Sequence, residues 1–129
     1  MLITLTGNIP SKKNGKRIVS FGGRPSLIAS KAYGKWHPTA FAQLADGKVP
    51  RLNHPSVKKM TITFFDKLNI DGSKPKRLFD LSNKAESVMD LLVDYRYLSD
   101  DNYTVVPDLH LKFGGYNKKQ GCEIKVTDN

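Results

Sequence analysis

Between residues 80 and 101, in the run DLSNKAESVMDLLVDYRYLSDD, stand six carboxylates: Asp80, Glu86, Asp90, Asp94, Asp100 and Asp101. The chain around them is basic, with 21 Lys and Arg against 12 Asp and Glu and a formal charge of +9. Inside the run only Lys84 and Arg96 oppose the six acids, a net of −4, and elsewhere nineteen bases face six acids, a net of +13. A basic surface around an acidic centre fits a protein that binds a polyanion, nucleic acid first, and holds a cation against it. Convergent oxygen ligands suit Mg2+ or Mn2+, hard ions that prefer carboxylates and keep several waters.

The spacing says what must position these acids. Leu81, Ala85, Val88, Leu92 and Tyr95 recur at intervals of four, three, four and three, which predicts an amphipathic helix from Asp80 to Tyr95. Ser82, Glu86 and Asp90 fall four residues apart on another stripe of that helix. Asp100, Asp101 and Asn102 follow Leu98 in a turn that can fold back beside it. The plain structural alternative makes Asp80 an N-cap and Glu86 with Asp90 a wet helix face, at a like-charge cost of only about 0.2–0.5 kcal/mol.

The other elements follow from pattern. LITLT at 2–6 reads as a core strand, and PSKKNGKR at 10–17 as a loop with four bases in eight residues. RIVSF and SLIAS, separated by GGRP, read as a hairpin. Ser30 is placed to cap a second helix, KAYGKWHPTAFAQLA, with Tyr33, Trp36, Ala40 and Leu44 on one face and Pro38 kinking it. VKKMTITFFD alternates as a strand, and residues 66–78, with their KPKR cluster, read as a mobile basic loop. YTVVPDLHLKF and CEIKVT read as two closing strands joined by GGYNKKQG, Pro107 marking an edge or a bulge. At 129 residues these elements make one α+β domain, a mixed β-sheet packed against two main helices.

Several function classes drop out. Cys122 is the single cysteine and the three histidines are scattered, so neither an internal disulfide nor a structural zinc site is expected, and a reducing cytoplasm fits. No run approaches the apolar length of a membrane span. The phosphate-binding loop of nucleoside triphosphatases is missing, because Pro10 stands where its first Gly belongs and Arg17 follows Lys16, so no nucleotide cofactor is expected.

The run DLSNKAESVMDLL followed by LSDDN, together with PSKKNGK after the first strand and the GC.I.V pattern of the last, resembles the RusA family of Holliday junction resolvases, found in phages and prophages. The resemblance covers nearly the whole chain. It implies a RusA-like domain and a homodimeric, Mg2+-dependent endonuclease (Mn2+ as substitute) that makes paired symmetric nicks in branched DNA, in the cytoplasm of a bacterial host. Asp80 and Asp101 match two essential metal-binding carboxylates, Asn83 the family's Asn, and Asp90 a recurrent helix Asp.

Two positions depart from the pattern Asp-x-Asp-Asn followed three residues on by Lys. Ser82 replaces the second Asp, and Glu86 stands at the Lys position. One turn beyond Ser82 on the same face, Glu86 is placed to supply the missing carboxylate. The expected catalytic and metal set is therefore Asp80, Glu86 and Asp101, with Asp90 and Asp100 behind them. Lys12, Lys13, Asn14, Lys16 and Arg17, with Lys74, Lys76 and Arg77, are the expected DNA contacts, holding backbone phosphates without reading sequence. The competing expectation is a basic protein that binds DNA junctions, or serves a phage structurally, without cleaving.

Overall fold

The computed structural model describes residues 1–11, 16–21, 24–29 and 31–128, with 16–21 and 24–29 described as backbone alone. Strands β1 (Leu2–Thr6), β4 (Lys59–Asp66), β5 (Leu109–Tyr116) and β6 (Gly121–Thr127) form one sheet in the order β1-β6-β4-β5. The sheet is mixed: β6 runs antiparallel to both β1 and β4, and β4 runs parallel to β5. Period-two alternation fixes the register, since Ile3 pairs with Ile124, Ile124 with Ile62 and Ile62 with Leu111, one apolar row across all four strands. Strands β2 (Lys16–Phe21) and β3 (Arg24–Ala29) pair antiparallel as a separate ribbon, the expected hairpin.

A parallel strand pair needs a long crossover. Here it is the 67–79 loop, helix α2 (Leu81–Asp94) and the turn after it, lying between β4 and β5 in the chain. Val88, Leu91 and Leu92 of α2 are fully buried in the core beside Met60, Ile62 and Ile124. Helix α1 (Lys31–Asp46) continues through Pro38 and buries Tyr33, Trp36, Ala40 and Leu44, the face that the spacing predicts. No helix among the described residues is long and apolar enough to cross a membrane.

Both helices end in a Schellman turn. In α1 Val49 N–H bonds Leu44 O at 3.0 Å and Lys48 takes a φ of 56°. In α2 Tyr97 N–H bonds Leu92 O at 3.0 Å and Arg96 takes a φ of 69°. This reversal sends the chain after Tyr97 back along the helix. His54 then pins it: its N–H donates to Tyr97 O and its carbonyl accepts from Ser99 N–H, both at 3.0 Å.

The last third differs from the pattern reading. Residues 103–108 are not strand, because Val105 and Val106 both direct their N–H groups to Asn102 O and their side chains into the core. Strand β5 instead runs through Gly114 and Gly115, which the composition marked as turn. A Cβ at Gly114 would lie 2.5 Å from the Phe65 ring and 2.6 Å from the Thr63 methyl, so glycine there permits close strand packing. Strands β5 and β6 do not pair; β4 lies between them, and β5 is the edge that Pro107 foreshadows.

Candidate metal and phosphate site on helix α2

The polar residues of α2 fall into groups near its two ends. At the N-terminus Asp80 has extended geometry (φ −88°, ψ 132°) and its side chain makes no capping bond. Its carboxylate is thus free of the structural role that its position suggests, and Oδ2 accepts from Asn83 Nδ2 at 3.2 Å. Asp80, Asn83 and Lys84 face a cavity of about 590 Å³ between α2, the 8–11 segment and the basic loop, with Asp66, Lys67, Arg77 and Gln120 also on its walls.

Lys84 is only 6% exposed, yet it carries an ammonium. Nζ donates to Asn8 Oδ1 at 3.0 Å and lies 4.2 Å over the Phe79 ring. Burial pushes its pKa down; the Asp66 charge opposes that shift and the Arg77 charge adds to it. Asp66 sits at the irregularity that ends the β4–β5 pairing, its Oδ1 accepting from Lys67 N–H at 2.8 Å and Gln120 Nε2 at 3.2 Å. One helical turn on, Ser87 Oγ donates to Pro10 O at 2.7 Å in the core, fastening α2 to the start of the first basic segment.

Toward the other end, the turn after α2 brings Asp101 within electrostatic reach of Asp90. Partial desolvation holds the Asp101 carboxyl above its usual range although the residue is exposed, reinforced by a hydrogen bond with Asp100 and by the charges of Asp90 and Asp100. Asp100 is committed to the turn: Oδ1 accepts Asp101 N–H at 2.7 Å and Oδ2 accepts Asn102 Nδ2 at 3.1 Å. Asp94, which the pattern leaves to solvent, meets His37 Nε2 at 3.0 Å.

No protein-family model matches the chain, and no curated protein matches it. What the site can do therefore follows from its own chemistry.

The expected set Asp80, Glu86 and Asp101 is not gathered around one point. Among the described residues no three His, Cys, Asp or Glu side chains are grouped to hold a metal ion. At about 1.5 Å rise per residue, Asp80 and Asp90 stand roughly 15 Å apart along the helix, whereas ligands of one Mg2+ lie within about 2.1 Å of it. Glu86, like Ser82, is exposed on the helix between them. The Asp90–Asp101 pair fits the habit of Mg2+, which takes one or two protein carboxylates and completes its shell with water and substrate phosphate.

Of the expected DNA contacts, Lys12, Lys13 and Asn14 lie outside the described residues, and Lys16 and Arg17 open β2, known there as backbone alone. Lys74 and Lys76 are exposed in the 67–79 loop, Lys74 Nζ 5.8 Å from the Tyr116 ring centre, and Arg77 is exposed at the cavity wall. The loop is closed at its tip by a turn in which Asn69 N–H bonds Ser73 O and Gly72 N–H bonds Asn69 O, each at 2.9 Å.

Pattern reading overlooked Lys84 and Asp66, although both carried a signal. Lys84 falls three residues after Leu81 and four before Val88, a position on the apolar face. Asp66 continues the inward alternation of Met60, Ile62 and Phe64. A charge on a core-facing register is the observation to look for.

Proposed function

We propose that this protein is a Mg2+- or Mn2+-dependent endonuclease of branched DNA, a resolvase of the RusA kind acting as a homodimer in a bacterial cytoplasm. The observation that carries the reading is the acidic helix and turn in an otherwise basic chain, where Asp101 on the turn lies within electrostatic reach of Asp90 on the helix. Asp90 and Asp101 would hold the ion, and Asp100 fixes the turn that presents Asp101. When bound, such an ion neutralises charge on the scissile phosphate and acidifies water for in-line attack. Exposed Lys74, Lys76 and Arg77 supply the sequence-independent phosphate contacts that recognition of DNA shape requires. A two-fold dimer would present two such centres to the two equivalent strands of a four-way junction.

The test is nicking of a synthetic four-way junction with Mg2+ or Mn2+ by the unmodified protein, Asp101→Asn, Asp90→Asn and Asp80→Asn. Paired nicks that vanish with Asp101→Asn are expected; no nicking by the unmodified protein under any divalent ion rejects the enzyme. Two observations favour a second reading, junction binding without cleavage: no three carboxylates converge among the described residues, and position 82 holds a serine. Under that reading the junction is retained on the protein, and a divalent-ion titration finds no site.

A further inference from the structure

The cavity at the N-terminal end of α2 contains a buried cation that no carboxylate neutralises directly. Among the described residues the ion pairs are His37–Asp94 and His110–Asp108, and neither involves Lys84. A buried ammonium is normally paired, because burying a lone charge is costly. Of the three donors on Nζ, one goes to the neutral Asn8 amide. The carboxylates on the same walls, Asp66 and Asp80, direct oxygens to the neutral donors Lys67 N–H, Gln120 and Asn83, and neither forms an ion pair with Lys84, although the Asp66 charge acts on it. A second cation, Arg77, faces the same space and repels Lys84. Ser11 adds a buried Oγ on the cavity wall with no hydrogen-bond partner. Around a space of about 590 Å³ the three cations Lys67, Arg77 and Lys84 outnumber the two carboxylates Asp66 and Asp80, and Ser11 adds a free buried hydroxyl, a donor set suited to an oxyanion larger than a simple ion.

We propose that this cavity is a subsite for one phosphate of a nucleic-acid strand, held by Lys84 Nζ within and Arg77 at its exposed wall, with Ser11 Oγ as a further donor. The subsite rests on the DNA reading above and deepens it, since it lies at the opposite end of α2 from the Asp90–Asp101 pair. The shared ligand chemistry is a phosphate ester, whether an internal phosphodiester or a terminal 5′-phosphate.

Calorimetric and NMR titrations of the intact protein with the dinucleotide TpT and with thymidine 5′-phosphate, without divalent ions, test the proposal. Expected is saturable binding of at least one probe that shifts the Asn83 and Asn8 side-chain amides. Tighter TpT identifies an internal phosphate, and tighter thymidine 5′-phosphate a strand end. Lys84→Met, an apolar chain suited to the buried path, should weaken binding about tenfold or more while circular dichroism stays native. Arg77→Gln, at an exposed position that folding does not need, should weaken it by about threefold or more. Binding unchanged by Arg77→Gln and by folded Lys84→Met, or no binding of either probe, overturns the subsite. Junction nicking without any probe binding overturns the subsite alone, whereas Lys84-dependent probe binding without nicking overturns only the nuclease reading.

Discussion

The sharpest consequence of the acidic turn is a reversal in the stability of Asp101→Asn on adding metal. Without divalent ions the substitution removes a charge that Asp90 and Asp100 oppose, and the introduced amide can still donate to Asp100. Because Asp101 is largely exposed, solvent limits the gain to about 0.2–1 kcal/mol. Unfolding entropy of about 2.1 cal/mol/K per residue, over 129 residues, gives roughly 0.27 kcal/mol/K, so the midpoint should rise by about 1–4 °C. At a divalent-ion concentration near 100 Kd, the unmodified protein gains about 2.7 kcal/mol, or roughly 10 °C, from binding in the folded state. The variant has lost a ligand and gains less. Thermal scans at neutral pH and low salt, in chelator and in Mg2+ or Mn2+, should therefore show the two proteins exchange order. If Asp101→Asn melts below the unmodified protein in chelator, the carboxylates do not repel as described. If the order fails to exchange with metal, Asp101 is not a ligand.

Three further expectations follow from single residues. The raised Asp101 pKa means that the folded state prefers the protonated acid, so its stabilising contribution is complete below the unfolded value near 3.8 and is lost as pH rises through the folded value; midpoints measured against pH in chelator should lose this falling limb in Asp101→Asn. Burial pushes the Cys122 thiol up to about 12, so a thiol reagent at neutral pH should label the native protein far more slowly than the unfolded one, and equal rates would contradict the packing of β6. Ser87→Ala leaves the Pro10 carbonyl without its donor in the core and should cost about 1–3 kcal/mol in denaturant unfolding, an unchanged midpoint refuting that link between α2 and the first basic segment.

Helix α2, its apolar stripe and the return of Asp100 and Asp101 toward it were all legible in the sequence, because local periodicity and a helix stop fix them. The β1, β4 and β6 strands were legible for the same reason, each alternating a buried with a wetter side. The parallel β4–β5 pairing was not, since glycines that read locally as a turn serve here to admit the Phe65 and Thr63 side chains of a neighbouring strand. The site was legible in composition and not in distance. Asp80, Glu86 and Asp90 share a helix, but a rise of about 1.5 Å per residue separates its ends farther than one ion can bridge. The cavity was invisible because Asn8, Ser11, Asp66 and Lys84 come from three remote segments.

That separation carries a prediction of its own when the two proposals are taken together. A phosphate held by Lys84 and a scissile phosphate at Asp90 and Asp101 stand roughly 9 Å apart along α2, and a strand advances about 3.4 Å per nucleotide along a duplex axis, so about three base steps separate them. Replacing single phosphates of a junction arm by neutral methylphosphonates should thus inhibit nicking at two places, the cut itself and a position about three steps away, and the second effect should disappear in Lys84→Met. Glu86 is exposed on α2 between Lys84 and Asp90. As a metal ligand its replacement by Gln lowers divalent affinity; as a bare carboxylate facing phosphates, the same change leaves the metal alone and tightens junction binding, most clearly at low salt. An inhibition map with a single maximum at the cut, unaltered by Lys84→Met, would show that the strand does not follow α2 and that its two ends do not act on one DNA strand.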